Sequence, residues 1–454
     1  MRKTTLAIAT LVLLLAPVSA FADFSISTFQ ADVTPSLGMP LCGGDVAPVV
    51  SITDPLTARG IVFFPEGEQP VVLCAVDWVI IANEGHTAWR EALAKAAQTD
   101  IGRVTVHVLH QHDAPFLDFT LEEMLDKQGL GGTTVDVDFA RKAIRDTAAA
   151  LSAALPQKKV VTHVASGEGI VEKVASNRRI LDENGKVRTV RWTATTDPAV
   201  RAEPVGTLDP FCKSVSFWNG DRTLAVLTYY ATHPQSHYGK GHVSADFVGM
   251  ARSAREEALP GVPHIHFNGA GGNLGAGKWN DGSPENRPVL AKRLEAGMRR
   301  AWEGAKKVPV DGTTLQWDVK TLVLPGRDDL SRAHEESVLA AKEAGRSPRM
   351  LAAIALAWMD RNNEETPIEI SRLKIGGIQL LHLPGELFVE YQLAAQDMAP
   401  DNMVCVAAYG DGGPGYIGTE VSYGEGGYET RIYVAQCGGK VEQVLLKGIR
   451  DLVE

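Results

Sequence analysis

Two histidines one residue apart close an apolar run. Val104-Thr105-Val106-His107-Val108-Leu109 leads into His110-Gln111-His112-Asp113-Ala114-Pro115, and the spacing predicts a strand over 104–112. Side chains alternate faces along a strand, so His110 and His112 share the face of Val104, Val106 and Val108. An imidazole ending a buried valine row is costly without a partner. A metal ion is one such partner, because neutral imidazole is a common nitrogen ligand of zinc. Two exposed histidines at a strand end would satisfy the same spacing.

A zinc site takes about four ligands, and a catalytic one keeps a position for water. The remaining candidates lie far off in the chain. His233 closes the apolar run Thr223-Leu-Ala-Val-Leu-Thr-Tyr-Tyr-Ala-Thr232 and precedes Pro234. Glu386 follows Leu383-Pro384-Gly385, where a strand turns into a helix. Asp77 and Asp246 are candidate carboxylates for orienting the ligands. Taken singly, His233 also fits a satisfied strand-end histidine, and Glu386 fits a helix N-terminal charge favoured by the dipole.

Three other patterns fail on their own residues. A metallo-β-lactamase arrangement needs Asp-His after the H-x-H, where Ala114-Pro115 stands. Gly272 to Lys278 fits G-x-x-x-x-G-K, but Trp279 occupies the position that must offer a hydroxyl to magnesium. Gly410 to Gly415 fits G-x-G-x-x-G, but Pro414 interrupts it and no helix follows.

The elements that must position these residues alternate. Strands are expected at 60–64, 70–81, 104–112, 403–408 and in the runs before His233 and Gly269, and helices at 88–97, 138–155, 246–259, 284–305, 387–396 and from 440. Ser244 reads as the cap of the 246–259 helix. A helical stretch over 330–359 is expected in two pieces around Arg346-Ser347-Pro348. The 370–386 segment reads as a hairpin with Gly376-Gly377 at its tip. This alternation argues for an α/β body. With no linker, repeat or low-complexity stretch, one domain over 23–454 is expected.

The 454 residues are 44% hydrophobic and 22% charged, which suits a globular chain with a sizeable core. A net charge of -10 disfavours sequence-independent binding to nucleic acid phosphates. Met1-Arg2-Lys3, the apolar Leu6 to Val18 and Ala20-Phe21-Ala22 read as a signal peptide over 1–22, without a cysteine for lipid attachment. A secreted or periplasmic protein is expected, with no transmembrane anchor and at most transient contact with a membrane surface. Five cysteines leave at least one thiol unpaired within a monomer, and Cys74 and Cys405 read as buried strand residues.

Taken in order, these motifs resemble the catalytic N-terminal domain of neutral/alkaline non-lysosomal ceramidases, a zinc-dependent amidase family. Ala31-Asp32-Val33-Thr34-Pro35 with Gly38-Met39 opens the match. The His110–Pro115 segment, Ala231-Thr232-His233, Val243-Ser244-Ala245-Asp246 and Leu383-Pro384-Gly385-Glu386 follow. Gly415-Tyr416-Ile417-Gly418-Thr419 and Tyr428-Glu429 complete it. The resemblance implies mixed β-sheets covered by helices, and a zinc ion held by His110, His233, Glu386 and Tyr416. It implies that His112, Tyr428 and Arg178 meet the substrate, an N-acyl compound or ceramide-like lipid. Zinc would lower the pKa of its water to about 7, and His112 would serve as general acid or base. The chain departs from the family in three places. Gly275 stands where the family carries an active-site serine, Thr430-Arg431 follows Tyr428-Glu429, and Glu454 ends the chain short of the C-terminal sandwich domain. These departures keep two other readings open: a zinc hydrolase of an ester or sugar-linked amide, and a non-catalytic binding homologue.

Overall fold

Three β-sheets share one apolar core in the computed structural model, which describes residues 24–310, 312 and 315–454. The expected leader over 1–22 lies outside the described residues. The first sheet has the order Val104–Val108, Val71–Val76, Thr57–Phe64, Phe24–Asp32, Lys159–Val161. The second runs His264–Asn268, Arg222–Tyr230, Phe211–Asn219, His163–Ile170, Lys306–Pro309. The third runs Leu315–Leu322, Ile368–Ile375, Ile378–His382, Met403–Ala407.

Alternation along the strands builds the layers. Val71, Leu73 and Ala75 face inward and meet Val215, Phe217 and Leu227 of the second sheet and Leu373, Leu380 and Cys405 of the third. Val72, Cys74 and Val76 face the other way, onto helices that carry Trp89, Leu93, Ile144 and Leu151. Those helices follow their apolar periodicity. Val137–Ala154 is capped by Asp136, which accepts from the Phe139 amide at 2.9 Å, and buries Ala140, Ala143, Ile144, Thr147 and Leu151 on one face. Val441–Val453 buries Val441, Leu445, Ile449 and Leu452 at helical spacing. Each buried leucine or isoleucine contributes about 1.5–3 kcal/mol. The expected α/β class, mixed sheets covered by helices, is what the chain adopts.

Each sheet contains one parallel pair: 71–76 with 104–108, 222–230 with 264–268, and 378–382 with 403–407. The carboxyl ends of all three pairs meet. The Val108 amide donates to the Tyr409 carbonyl and the Ala408 amide to the Asn268 carbonyl, both at 3.0 Å. Crevices outside the carboxyl ends of parallel strands are where α/β sheets hold ligands.

The element boundaries depart from expectation where this junction forms. The strand expected over 70–81 breaks at Asp77, and Ile80–Ala82 pairs instead with Phe116–Asp118. The strand expected over 104–112 ends at Val108. The helical stretch breaks at 341–345, earlier than expected. Pro348 then falls in the first turn of Arg346–Arg361, where its missing amide costs nothing. The hairpin with Gly376-Gly377 at its tip is present, with Ile375 opposite Ile378. All five cysteines are free thiols.

Candidate metal centre

His110 reaches the junction by leaving its sheet. Its φ is +70°, a left-handed conformation uncommon for a residue with a side chain. The expected alternation with the valine row therefore stops short of it. Two bonds hold the strained turn: the His110 amide donates to the Trp78 carbonyl at 2.9 Å, and Nδ1 lies 2.7 Å from the Val79 carbonyl. His233 follows the second sheet's Arg222–Tyr230 strand, and its Nδ1 lies 2.8 Å from the Gly271 carbonyl. Glu386 and Tyr416 are register partners in a short parallel bridge, which brings both side chains to one place.

Glycines knit these segments together. A Cβ on Gly271 would come 2.3 Å from the Thr232 carbonyl oxygen, and one on Gly272 would come 2.3 Å from that of Glu386. The Gly272 amide donates to the Leu387 carbonyl at 2.7 Å. Only side-chain-free residues allow the His233 and Glu386 segments to approach the same turn.

Four polar atoms converge. His110 Nε2 lies 3.2 Å from His233 Nε2 and 3.0 Å from Glu386 Oε2. His233 Nε2 lies 3.5 Å from Glu386 Oε2 and 3.3 Å from the Tyr416 hydroxyl. Ligands about 2.0–2.1 Å from a tetrahedral zinc stand about 3.3 Å apart, so these spacings match the edges of such a shell. The protonation pattern agrees. Both Nδ1 atoms face carbonyls, which only accept, so Nδ1 carries the proton and Nε2 presents a lone pair. Two lone pairs then point at each other and at a buried carboxylate oxygen, Glu386 Oε2, that has no hydrogen-bond partner. A cation between them satisfies all three, so the residues present fit a divalent metal ion. One nitrogen from each of His110, His112 and His233 also falls within 4.8 Å of the others, a grouping compatible with metal binding.

The electrostatics disfavour charge on the His112 and His233 imidazoles. Burial pulls His233 well below the usual histidine range, and the Arg178 charge adds to it. Burial, then His110 and Arg178, do the same to His112. Burial pushes Tyr416 well above the usual phenol range, against the pull of Arg178. Arg178 is 2% exposed and donates from Nε to Glu429 at 2.6 Å. Its guanidinium lies 5.3 Å from the Tyr416 ring centre and 5.9 Å from that of Tyr428, and Nη2 has no partner. Despite burial, Arg178 and Arg179 hold Glu429 below the usual carboxylate range.

The structure thus brings together His110, His112, His233, Glu386, Tyr416, Tyr428 and Arg178. It does not bring Asp77 and Asp246 to the ligands. Asp77 is fully buried against Arg252, and Asp246 accepts from the Ser236 amide at 3.0 Å, holding the loop after His233. Asp77 accepts from the Arg252 guanidinium and from Thr57, and Asp246 also accepts from the Phe247 amide. Lys278, the apparent P-loop lysine, donates to the Arg201 and Glu203 carbonyls. Gly275 pairs with Ser176 in a buried two-stranded bridge, under the Trp192 carbonyl.

Other residues went unread. Tyr409 stacks on His110 with ring centres 4.7 Å apart. Tyr238 meets His112 at 4.8 Å and Trp192 meets Tyr428 at 5.1 Å, both partly exposed. Tyr409 could have been found as the aromatic residue between the 403–408 run and Gly410. Trp192 and Tyr238 sit in loops that carry no spacing signal. A cavity of about 330 Å³ is lined at one end by His110, His112, Glu386, Tyr416 and Tyr428, and walled by Phe116, Met350, Leu351 and Ile354.

No known family profile and no curated protein matches the sequence. Among the solved structures that share the fold are two ceramidases. A ceramidase complexed with C2 superposes with a TM-score of 0.71 at 16% identity, over 95% of this chain and 75% of that one. The neutral ceramidase from Pseudomonas aeruginosa gives 0.70 at 17% identity, over 94% of this chain and 74% of that one. At that identity the likeness is one of fold. Among the described residues no helix is long and apolar enough to cross a membrane.

Proposed function

We propose that this protein is an exported zinc-dependent hydrolase that cleaves the amide bond of an N-acyl compound, with a ceramide-like lipid as one candidate. The observation that carries this reading is the convergence of His110 Nε2, His233 Nε2, Glu386 Oε2 and the Tyr416 hydroxyl at tetrahedral spacings. The fold shared with two ceramidases supports it. When bound there, zinc supplies Lewis acidity, lowering the pKa of water and polarising a carbonyl oxygen.

The chain's own residues supply the rest. Val79 and Gly271 fix the tautomers of His110 and His233, so both offer Nε2. Burial disfavours charge on His112, and no hydrogen bond among the described residues engages its ring, so the ring accepts a proton from attacking water and returns it to the leaving nitrogen. Arg178 directs its unpartnered Nη2, together with the Tyr428 hydroxyl, toward the carbonyl oxygen as negative charge develops. The apolar cavity takes the acyl chain and excludes water from it.

The test is hydrolysis of a panel of N-acyl amines, esters and acylated amino sugars by the wild type and by His110→Ala, His233→Ala and Glu386→Ala. Amide cleavage lost in all three variants is expected. Retained cleavage in all three refutes the metal site, and cleavage of esters or sugar-linked amides alone moves the reaction to another bond. Gly275 favours that second reading, because no hydroxyl stands where the resembled family carries one.

A further inference from the structure

The reaction end of the cavity is rimmed by aromatic side chains that are open to solvent yet fixed at their backbones. Trp192 is 47% exposed, Tyr238 40% and Tyr433 37%. Tyr433 and Tyr428 line the cavity, and the Trp192 and Tyr428 ring centres lie 5.1 Å apart. Tyr238 stands against His112, which lines the same cavity, with ring centres 4.8 Å apart. Trp192 and Tyr238 are thus the solvent-exposed neighbours of the two side chains assigned to the substrate's amide.

Loops are ordinarily the mobile parts of a fold. These two are held. Arg191 is 1% exposed and donates to the carbonyls of Asn177, Pro204, Glu203 and Val200 at 2.8, 2.9, 3.0 and 3.3 Å. Its amide donates to the Arg178 carbonyl at 2.6 Å, which ties the loop to the segment that carries the buried arginine. The Trp192 carbonyl seats on Gly277, where any Cβ would collide with it. On the other loop, Arg287 donates from Nε to the Ser236 hydroxyl at 2.9 Å and from Nη2 to the His237 carbonyl at 2.7 Å. The Gly239 amide donates to Asp113 Oδ1 at 2.9 Å. Asn280 is fully buried and joins the two loops, because its Nδ2 donates to the Thr193 carbonyl at 2.9 Å and to the Ser236 carbonyl at 2.6 Å. Ordering the backbone beneath an exposed ring costs conformational entropy in folding. A ring ordered in advance loses little more when a ligand stacks on it.

We propose that Trp192 and Tyr238 form a ring-binding subsite at the rim, which receives a pyranose sugar on the amine side of the substrate. Each side chain is about half in water, so the group it meets is apolar on a face and polar at its edge. A pyranose is built that way, with C–H bonds on its faces and hydroxyls around its edge. A straight alkyl amine has no polar edge and would leave apolar surface wet at the rim. The proposal rests on the hydrolase reading for the side of the substrate that the sugar occupies. With the acyl chain in the apolar cavity, the amine side falls at the rim, beside Tyr428 and His112. Stacking of the ring does not depend on turnover.

The experiment is calorimetric titration of the zinc-supplemented protein with two ligands that contain no amide, both below their micelle-forming concentrations. One is octyl glucopyranoside, and the other is the octyl ether of an open-chain hexitol, which has hydroxyls but no ring. The wild type is expected to bind the pyranoside about tenfold tighter, within what stacking of a ring on an indole is worth. Trp192→Ala and Tyr238→Leu are each expected to reduce that preference to about threefold or less, and Trp192→Phe to keep most of it. Equal affinity of the wild type for the two ligands overturns the proposal. So does a preference unchanged in both variants, or failure of both ligands to bind. Cosedimentation with phosphatidylcholine vesicles that is lost in Trp192→Ala, while the two soluble ligands bind equally, overturns it and assigns the rim to a lipid surface. Cleavage of N-octanoylglucosamine and N-octanoylhexylamine by the same samples separates the two readings. A ring preference with neither amide cut removes the hydrolase reading alone, and cleavage without a ring preference removes the subsite alone.

Discussion

Arg252→Met is expected to destabilise the fold severely and to loosen the metal site without touching it. Asp77 is fully buried, and Arg252 meets it with two bonds of 2.7 Å, one to each carboxylate oxygen. The Thr57 amide and hydroxyl add two bonds of 2.8 Å to Oδ2. Burial alone would raise the Asp77 pKa, but Arg252 and these bonds hold it below the usual carboxylate range. Removing Arg252 leaves a buried charge uncompensated, which costs about 3–5 kcal/mol. The next residues, Trp78 and Val79, supply the carbonyls that hold His110, so relaxation at Asp77 is transmitted to a ligand. The assay is urea unfolding at neutral pH with chelator present, for the wild type, Arg252→Met, Asp77→Asn and the double variant. The double variant should lose less than the two single losses added together, because removing both partners strands no charge. The sign of the linkage confines any pH effect. A depressed carboxylate pKa stabilises above the unfolded value, about 3.9, and that stability is lost only as pH falls below it. The wild-type contribution of Asp77 should therefore be constant from pH 7 to about 5, whereas in Arg252→Met, where burial is no longer opposed by Arg252, the deficit should shrink as pH falls across that range. A loss under about 1 kcal/mol, or zinc affinity unchanged in a variant that has lost several, would refute the reasoning.

Three further outcomes follow from the packing and the charges. His107 is buried, with Nδ1 2.8 Å from the Ala408 carbonyl, and burial pulls its pKa down to about 3. Its neutral form stabilises the fold fully above the unfolded value near 6.5 and progressively less as pH falls toward 3, so metal-free His107→Gln should show a shallower loss of unfolding free energy between about pH 6.5 and 5, by about 1.4 kcal/mol per pH unit. Gly277→Ala should cost about 1–3 kcal/mol in denaturant unfolding, because its Cβ would lie 2.0 Å from the Trp192 carbonyl oxygen, whereas Gly275→Ser, whose Cβ has 3.4 Å there, should change stability by less than about 0.5 kcal/mol. Zinc at a hundredfold excess over its dissociation constant should stabilise the wild type by about 2.7 kcal/mol relative to chelator, and His233→Ala should show little of this.

Much of the fold was legible because local rules decide it. The Val137–Ala154 helix declares itself by Asp136 and its apolar spacing, and the Ile368–His382 hairpin by Gly376-Gly377. What periodicity could not show is how three separate strand ends come together. The alternation that pointed to His110 and His112 breaks at Leu109, and His110 enters the junction through a left-handed turn that only the Trp78 and Val79 carbonyls make tenable. Asp77 read as a helper of the ligands because it lies beside them in the pattern, yet its partner is Arg252, 175 residues away. Tyr409 carries no motif and acquires its place only when the third sheet's end docks against the first. Long-range closure of this kind leaves a trace in sequence only as isolated residues at strand ends.

The most direct test of the central claim is the metal content of the purified wild type beside its His233→Ala variant, after dialysis against a weak chelator. About one zinc ion per chain in the wild type, and almost none in the variant, is the expected result. A wild type that neither retains zinc nor takes it up on addition would contradict the account, and so would a His233→Ala variant that keeps a full complement.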